Sequence, residues 1–337
     1  MQKQLIAILI VLVVLVAGAV LSLNMEQKDI DPADDSNQAL INASFRDADL
    51  IAVRIENAGG LLFQASKQTD NNTWYATHLA DDLPYPIEKS LLASFVQTSM
   101  DANLVEAKSK RAENRARLGL SAITESDSAA TLVNLEFSTG KVALLLGNQA
   151  SIQNGQYLRY ADESQMWLTD KSFSLPSDQY AWLSPNMLNL ELADVKSLKR
   201  LGDETAWVIR SKEPADTGDS GFVLENFNEE EDELRFASIV DDVVESVMSL
   251  DFISVSTMTA EQWQDNAILA SYEIEDIQGN IHSLRLIQES ERYFAHFNTH
   301  GEQAYVNEWV YELQDYQARE LLKTFDDFLV EKPVEAE

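Results

Sequence analysis

The stretch Leu132-Val-Asn-Leu-Glu-Phe-Ser-Thr-Gly-Lys-Val-Ala-Leu-Leu-Leu146 decides how this chain is read. Leu132–Phe137 has the composition of a strand, Ser138-Thr139-Gly140 that of a turn, and Val142–Leu146 that of the returning strand. Working outward, Leu50–Ile55, Leu61–Ala65 and Trp74–Thr77 also read as strands, with Gly59-Gly60 as the hairpin turn between the first two. A helix follows, opened by Tyr85-Pro86 because proline suits a first helical turn, with Ile87, Leu91, Leu92, Phe95 and Val96 at helical spacing. Downstream of the hairpin, Tyr157–Tyr160 and Met166–Leu168 read as two more short strands.

The same order recurs in the second half. Val195–Leu198, Ala206–Ile209 and Gly221–Leu224 are strands, and a helix presents Phe236, Val240, Val243, Val244 and Val247 on one face. Phe252–Val255, Ile268–Ile274, Ile281–Ile287 and Tyr293–Phe297 resume the strands. Landmarks stay in register: Phe222 for Trp74, Met248 for Met100, Gly279 for Gly140 and Trp309 for Trp167. Each unit is three strands, a helix and then about four strands. The expected class is α+β, a duplicated and mostly antiparallel sheet-plus-helix unit. A closing helix is expected near Leu313–Leu329, with Leu321, Leu322, Phe325 and Phe328 on its apolar side. The divisions are 1–24 membrane anchor, 25–44 acidic tether, 45–188 first repeat, 189–332 second repeat and 333–337 tail.

The anchor rests on Leu5–Leu23, 19 residues with no charge and Ser22 as the sole polar side chain. As a helix it spans roughly 28 Å, close to the hydrocarbon core of a bilayer. Lys3 precedes it, while Glu26, Lys28, Asp29, Asp31, Asp34 and Asp35 follow, which places the N-terminus in the cytoplasm and the bulk outside. The rival reading is a signal peptide cut after Ala17-Gly18-Ala19; the apolar run continues four residues beyond that site, which favours the uncleaved anchor. The expected location is the bacterial inner membrane, single-pass, with the folded part periplasmic.

The chain has 337 residues, 25 Lys+Arg and 56 Asp+Glu, for a net charge of −31. Such a chain repels nucleic acid and anionic lipid unless it carries a local basic face. Its longest basic cluster is Lys108, Lys110, Arg111, Arg115 and Arg117, interrupted by Glu113. With no cysteine, there is no disulfide, thiol nucleophile, iron–sulfur cluster or Cys-ligated zinc.

Chemistry-bearing motifs are fragmentary. Asp216-Thr217-Gly218 has the aspartic-protease triplet, but Asp219 stands where Ser or Thr is needed and no second triplet completes a dyad. Gly218-Asp219-Ser220-Gly221 begins a serine-nucleophile loop, but Phe222 replaces the next glycine. A turn accounts for the whole stretch. The histidines are His78, His282, His296 and His300; the i, i+4 spacing of the last two suits metal ligands only on a helix, and the segment reads as a strand. Glu229–Glu233 lacks the alternation and glycine of a calcium loop and reads as the acidic lead-in to a helix. There is no phosphate-loop motif, so the chain is not a transporter ATPase. Trp74, Trp167, Trp182, Trp207 and Trp309 suit core packing better than a ligand cleft. No catalytic, cofactor or metal residue is assigned.

The order of Trp74, Tyr85-Pro86, Leu118-Gly119-Leu120, Val142–Gly147, Tyr157-Leu158-Arg159 and Met166-Trp167-Leu168 resembles the bacterial family of domain of unknown function 4340, best over about residues 50–185. Leu118 replaces the family's turn tyrosine, and no proline follows Leu120. The resemblance implies a membrane-anchored envelope protein, often encoded beside gliding-motility-type ABC-transporter components, and brings no catalytic residues. The favoured expectation is a non-catalytic accessory protein with a protein partner in such a system and no cofactor. The alternative is a periplasmic binding module for an apolar ligand or polysaccharide.

Overall fold

A computed structural model describes residues 37–331, apart from 70–71, 81–82, 152–153, 189, 203–204, 213–220, 229, 258–262 and 264–267. The chain divides into two units: residues up to His78 with Ile87–Trp182, and Leu79–Pro86 with Leu183 onward.

The first unit contains β1 (Gln38–Ala39), α1 (Ala43–Arg46), β2 (Leu50–Asn57), β3 (Gly60–Lys67) and β4 (Trp74–Ala76). After β5 (Tyr85–Pro86), which clusters with the second unit, it continues with α2 (Lys89–Asp101), β6 (Asn103–Ala107), β7 (Thr131–Phe137), β8 (Gly140–Gln149), β9 (Gln156–Tyr160) and β10 (Trp167–Thr169). Its antiparallel sheet runs β4-β3-β2-β7-β8-β9-β10-β6-β1. The decisive hairpin pairs Thr131 with Leu146 and Phe137 with Gly140, so Val133, Leu135 and Phe137 are buried while Asn134 and Glu136 are half-exposed. Leu40 and Ile41, expected within the acidic tether, are fully buried beside β1.

The second unit contains β11 (Val195–Leu201), β12 (Trp207–Ser211), β13 (Phe222–Leu224), α3 (Ile239–Met248), β14 (Ser254–Thr257), β15 (Ile268–Asp276), β16 (Ile281–Glu289), β17 (Arg292–Asn298), β18 (Trp309–Leu313) and α4 (Asp315–Glu320). Its antiparallel sheet runs β13-β12-β11-β15-β16-β17-β18-β14. Strand for strand this is the order of the first sheet without β1, with five strands after the helix in each unit. Trp74 and Phe222 open the matching strands β4 and β13, Trp167 and Trp309 open the matching strands β10 and β18, and Gly140 and Gly279 sit at matching hairpins.

The α+β expectation is corrected. The described residues form two large antiparallel sheets with few helices. One reason is the C-terminal helix, expected to Leu329, which stops at Glu320: Thr324 is extended, and its side chain and that of Asp327 cap a separate 3-10 turn at Phe325–Phe328. The other is the helix expected to open at Tyr85-Pro86. Those residues are extended instead, as the position before proline favours, and Glu88 caps a helix beginning at Lys89. No helix among the described residues is long and apolar enough to cross a membrane. The spanning helix expected at Leu5–Leu23 lies outside the described residues.

Each core is built on rings. In the first unit, Trp182 packs edge-on against Phe63 at 5.0 Å and beside Phe95 of α2 at 5.5 Å. In the second, Trp207 meets Tyr272 at 5.7 Å and Phe328 at 5.3 Å, and its indole N–H donates to the Lys323 carbonyl at 2.9 Å. The Tyr272 hydroxyl donates to the Leu321 carbonyl at 2.5 Å, so the C-terminal turns are tied to the sheet. Leu144, Leu145 and Leu146 are buried in succession, which requires cover on both faces of β8. Leu145 is covered by Leu118, Leu120, Ala130 and Met166.

That cover explains two glycines of the sequence pattern. Gly119 turns the chain at φ 70°, and a Cβ on Gly147 would run into the Leu118 carbonyl and lie 2.9 Å from that of Gly119. Gly147→Ala is expected to cost about 1–3 kcal/mol by overpacking. In a thermal melt that is a fall of roughly 3–9 °C for the transition containing this unit. Gly59→Ala, whose Cβ meets only the Asn57 side chain, serves as the control. Equal melting of the two variants would refute the close-packing account.

Candidate functional site

Among the described residues, a cleft in each unit brings polar groups together. The cleft in the second unit has a volume of about 680 Å³. Its floor is apolar: Phe297 on β17, Val247 at the end of α3, then Met187, Leu188 and Leu250. Its rim carries Glu191, Asp194 and Asp251, with no basic residue among the described residues of the lining. The C-terminal end of α3, from Val247 to Ser249, adds the negative end of a helix dipole. Asp194 is held in place, because its carboxylate accepts from the Glu191 N–H at 3.2 Å and its carbonyl accepts from the Ile277 N–H at 2.9 Å. Ile277 is 57% exposed; Ile281 across the same hairpin and Leu192 between the two rim acids are also exposed. The chemistry on offer is an apolar seat with negative charge around it.

The cleft in the first unit has a volume of about 730 Å³ and the opposite character. Lys108, Arg111 and Arg117 line it with Ser109, Asn114, Asn148, Ser151 and Tyr157. The loop is pinned by its own polar atoms: the Ser109 hydroxyl accepts from the Arg111 N–H at 3.0 Å and the Asn114 side chain at 2.9 Å. Lys108 pairs with Glu106 at 2.5 Å and stands 5.9 Å from the Tyr157 ring centre. Arg115, beside this wall, has a buried Nε with no hydrogen-bond partner. Burial, and then the charge of Arg115, lower the pKa of Arg159.

The structure separates the two histidines whose spacing drew attention. His296 lies on β17, donates to the Asn307 carbonyl at 2.9 Å and packs by Trp263, and burial lowers its pKa. His300 lies beyond the strand, 6.3 Å ring to ring from His282. His282 is buried, 3.4 Å from the Asp276 carboxylate. Burial pushes the Asp276 carboxyl up, but hydrogen bonds from the side chain and backbone of Asn280, and from His282, outweigh it and hold the pKa below its ordinary value. Asp276 thereby ties the β15–β16 turn. His78 bridges backbone, its Nε2 donating to the Gln179 carbonyl at 2.7 Å and its Nδ1 accepting from the Gln64 N–H at 3.2 Å. Asp216, Asp219 and Ser220 lie outside the described residues. No group of three or more metal-ligating side chains occurs among the described residues. Trp167, Trp182, Trp207 and Trp309 are buried, and no tryptophan lines either cleft.

Sequence reading found the basic run but not its partners. Asn148, Ser151 and Tyr157 reach it through strand order, and Glu191, Asp194 and Asp251 carry no local motif. The family model of "Domain of unknown function (DUF4340)" matches residues 74–266. No curated protein and no solved structure matches the chain.

Proposed function

The chain belongs to the family of domain of unknown function 4340, and on that footing we propose that it is a non-catalytic accessory protein of an ABC-type transport or other cell-envelope system. It is held at the bacterial inner membrane by its apolar N-terminal run, with both units on the periplasmic side. Its work is to dock a protein partner. The observation that carries this reading is the second-unit cleft, an apolar floor rimmed by Glu191, Asp194 and Asp251 and flanked by exposed Leu192, Ile277 and Ile281. Apolar surface that stays exposed beside a polar rim marks a protein interface. The negative rim selects a partner segment bearing Lys or Arg beside an apolar anchor. The titratable groups around it support the same reading, since Asp194 and Asp276 are engaged in holding turns.

The test is a photo-crosslinking residue at Ile277 of the full-length chain in cells. One discrete heterologous adduct is expected. Glu191→Lys with Asp251→Lys should abolish it at a cost of about 1–2 kcal/mol in stability, since Glu191 caps the 3-10 turn at Leu192–Asp194 and Asp251 accepts from the Phe252 N–H at 2.7 Å. An adduct indifferent to that charge reversal, or none in cells where the protein functions, would defeat the proposal.

A further inference from the structure

We propose that the second unit binds a divalent transition-metal ion between His282 and His300, at the end of its sheet where β16 begins and β17 stops. The argument starts from two buried polar atoms. His282 is 5% exposed and Thr299 is 1% exposed. The Nδ1 of His282 and the hydroxyl of Thr299 are both enclosed, and neither has a hydrogen-bond partner among the described residues. Strand register puts them side by side. Leu284 pairs with Phe297 and Ser283 with Asn298, so the next step along the two chains sets His282 opposite Thr299. Both share the buried face of Leu284 and Phe297, because side chains alternate along a strand. Asn307 fixes Thr299 from the other side, its side chain accepting from the Thr299 N–H at 2.7 Å and donating to the Thr299 carbonyl at 3.1 Å. Each buried polar group left unpaired costs about 1–3 kcal/mol, and here two stand together.

The donors name the class of ion. The Nε2 of His282 lies 3.4 Å from the Asp276 carboxylate. A carboxylate accepts, so Nε2 carries the proton and Nδ1 presents a lone pair. A ring oriented by a carboxylate on one nitrogen, with a lone pair on the other, is the arrangement of a metal-ligating histidine and its supporting group. His300 supplies the second imidazole, its ring centre 6.3 Å from that of His282. An ion about 2.0–2.1 Å from a ring nitrogen lies about 3.2 Å from that ring's centre, so two imidazoles on one ion have centres roughly 5–6.4 Å apart. The observed separation is at the wide end of that span. His300 is exposed and stands beyond the end of β17, where a swing of about 1 Å reaches a tetrahedral angle. Its exposure also gives the ion an entry path. The Thr299 hydroxyl is placed to hold a water that fills a further coordination position. Two imidazoles, with the carboxylate behind rather than on the ion, select zinc(II) or copper(II) over calcium or magnesium. The inference is independent of the docking reading of the acidic cleft.

The test titrates zinc chloride by calorimetry into the full-length chain in neutral detergent, after chelator treatment and in excess calcium chloride, which occupies surface carboxylates. One equivalent is expected to bind saturably. His300→Ala removes an exposed side chain, so it should melt with the parent in chelator, yet bind zinc about tenfold more weakly or worse. His282→Gln should weaken binding as far; because that residue is buried, its melting is measured alongside, and the His300 variant decides the matter if it fails to fold. Electron paramagnetic resonance of the copper(II) form should show nitrogen couplings from two imidazoles in the parent and from one in His300→Ala. No saturable zinc binding in calcium, or zinc binding that His300→Ala leaves unchanged, would overturn the proposal.

Discussion

Arg159→Ala should unfold the first unit at a markedly lower temperature than the parent chain. Arg159 lies on β9 and is 5% exposed. Its Nη1 donates to the carbonyls of Tyr160, Ala161 and Glu163 at 3.2, 2.9 and 3.2 Å, and its Nε reaches toward that of Leu120 at 3.5 Å. One guanidinium thus satisfies the backbone of the bend that follows β9. Alanine leaves those part-buried acceptors without their donor, at a cost of about 3 kcal/mol for the set. Relief of repulsion from Arg115 offsets a smaller part. The expected fall is roughly 6–12 °C in the transition of this unit. Arg159→Met keeps the apolar stem and should recover only the packing share. If the methionine variant melts with the parent, the carbonyl network contributes nothing and the account is wrong.

The strand pattern around this arginine was legible because it is local. Val133, Leu135 and Phe137 alternate with polar residues, and Gly140 ends the run. The helices were over-read for a physical reason: apolar spacing predicts a face but not an end. At Leu321, Leu322, Phe325 and Phe328 the spacing continues across Thr324, whose capping with Asp327 starts a new turn. The same fault began α2 early, since Pro86 fits a first helical turn but Glu88 caps the helix. The clefts were illegible because their walls meet only through the sheet. Tyr157 joins Arg111 because β9 follows β8 beside the loop that leaves β6, and Asp251 joins Glu191 across a long separation in sequence. Arg159 was visible as part of a motif, yet its burial was not, because a strand arginine is ordinarily solvent-facing.

Tyr85→Ala should damage the second unit at least as severely, although Tyr85 stands in the sequence between two elements of the first. Its ring is fully buried, and its centre lies 5.4 Å from Trp309, 5.5 Å from Tyr305, 6.2 Å from Phe252 and 6.4 Å from Tyr311, all at steep angles. Removing a large ring from such a cluster leaves a cavity and costs about 3–5 kcal/mol, with edge-to-face contacts adding about 0.5–1.5 kcal/mol per pair. Tyr85→Phe keeps the ring and loses only long hydrogen bonds, 3.3 Å to the Ser184 carbonyl and 3.5 Å to the Tyr311 hydroxyl, so it should cost about 1 kcal/mol or less. The two variants also differ from the parent with pH. Burial raises the Tyr85 and Tyr311 phenols well above their ordinary value and pushes Tyr305 up to about 12. A phenol whose folded pKa exceeds its unfolded one contributes its full stability below the ordinary tyrosine pKa of about 10 and loses it as the pH climbs toward the folded value. The second unit should therefore weaken progressively above about pH 10. Tyr85→Phe, with one buried phenol fewer, should weaken less steeply than the parent over that range, despite starting from equal or lower stability at neutral pH. Denaturant melts at pH 8 and pH 11 read both effects. A Tyr85→Ala protein as stable as the parent at pH 8 would show that the ring cluster does not hold this unit together, and a Tyr85→Phe protein with the parent's full alkaline loss would show that the buried phenol of Tyr85 is not among the groups that titrate on unfolding.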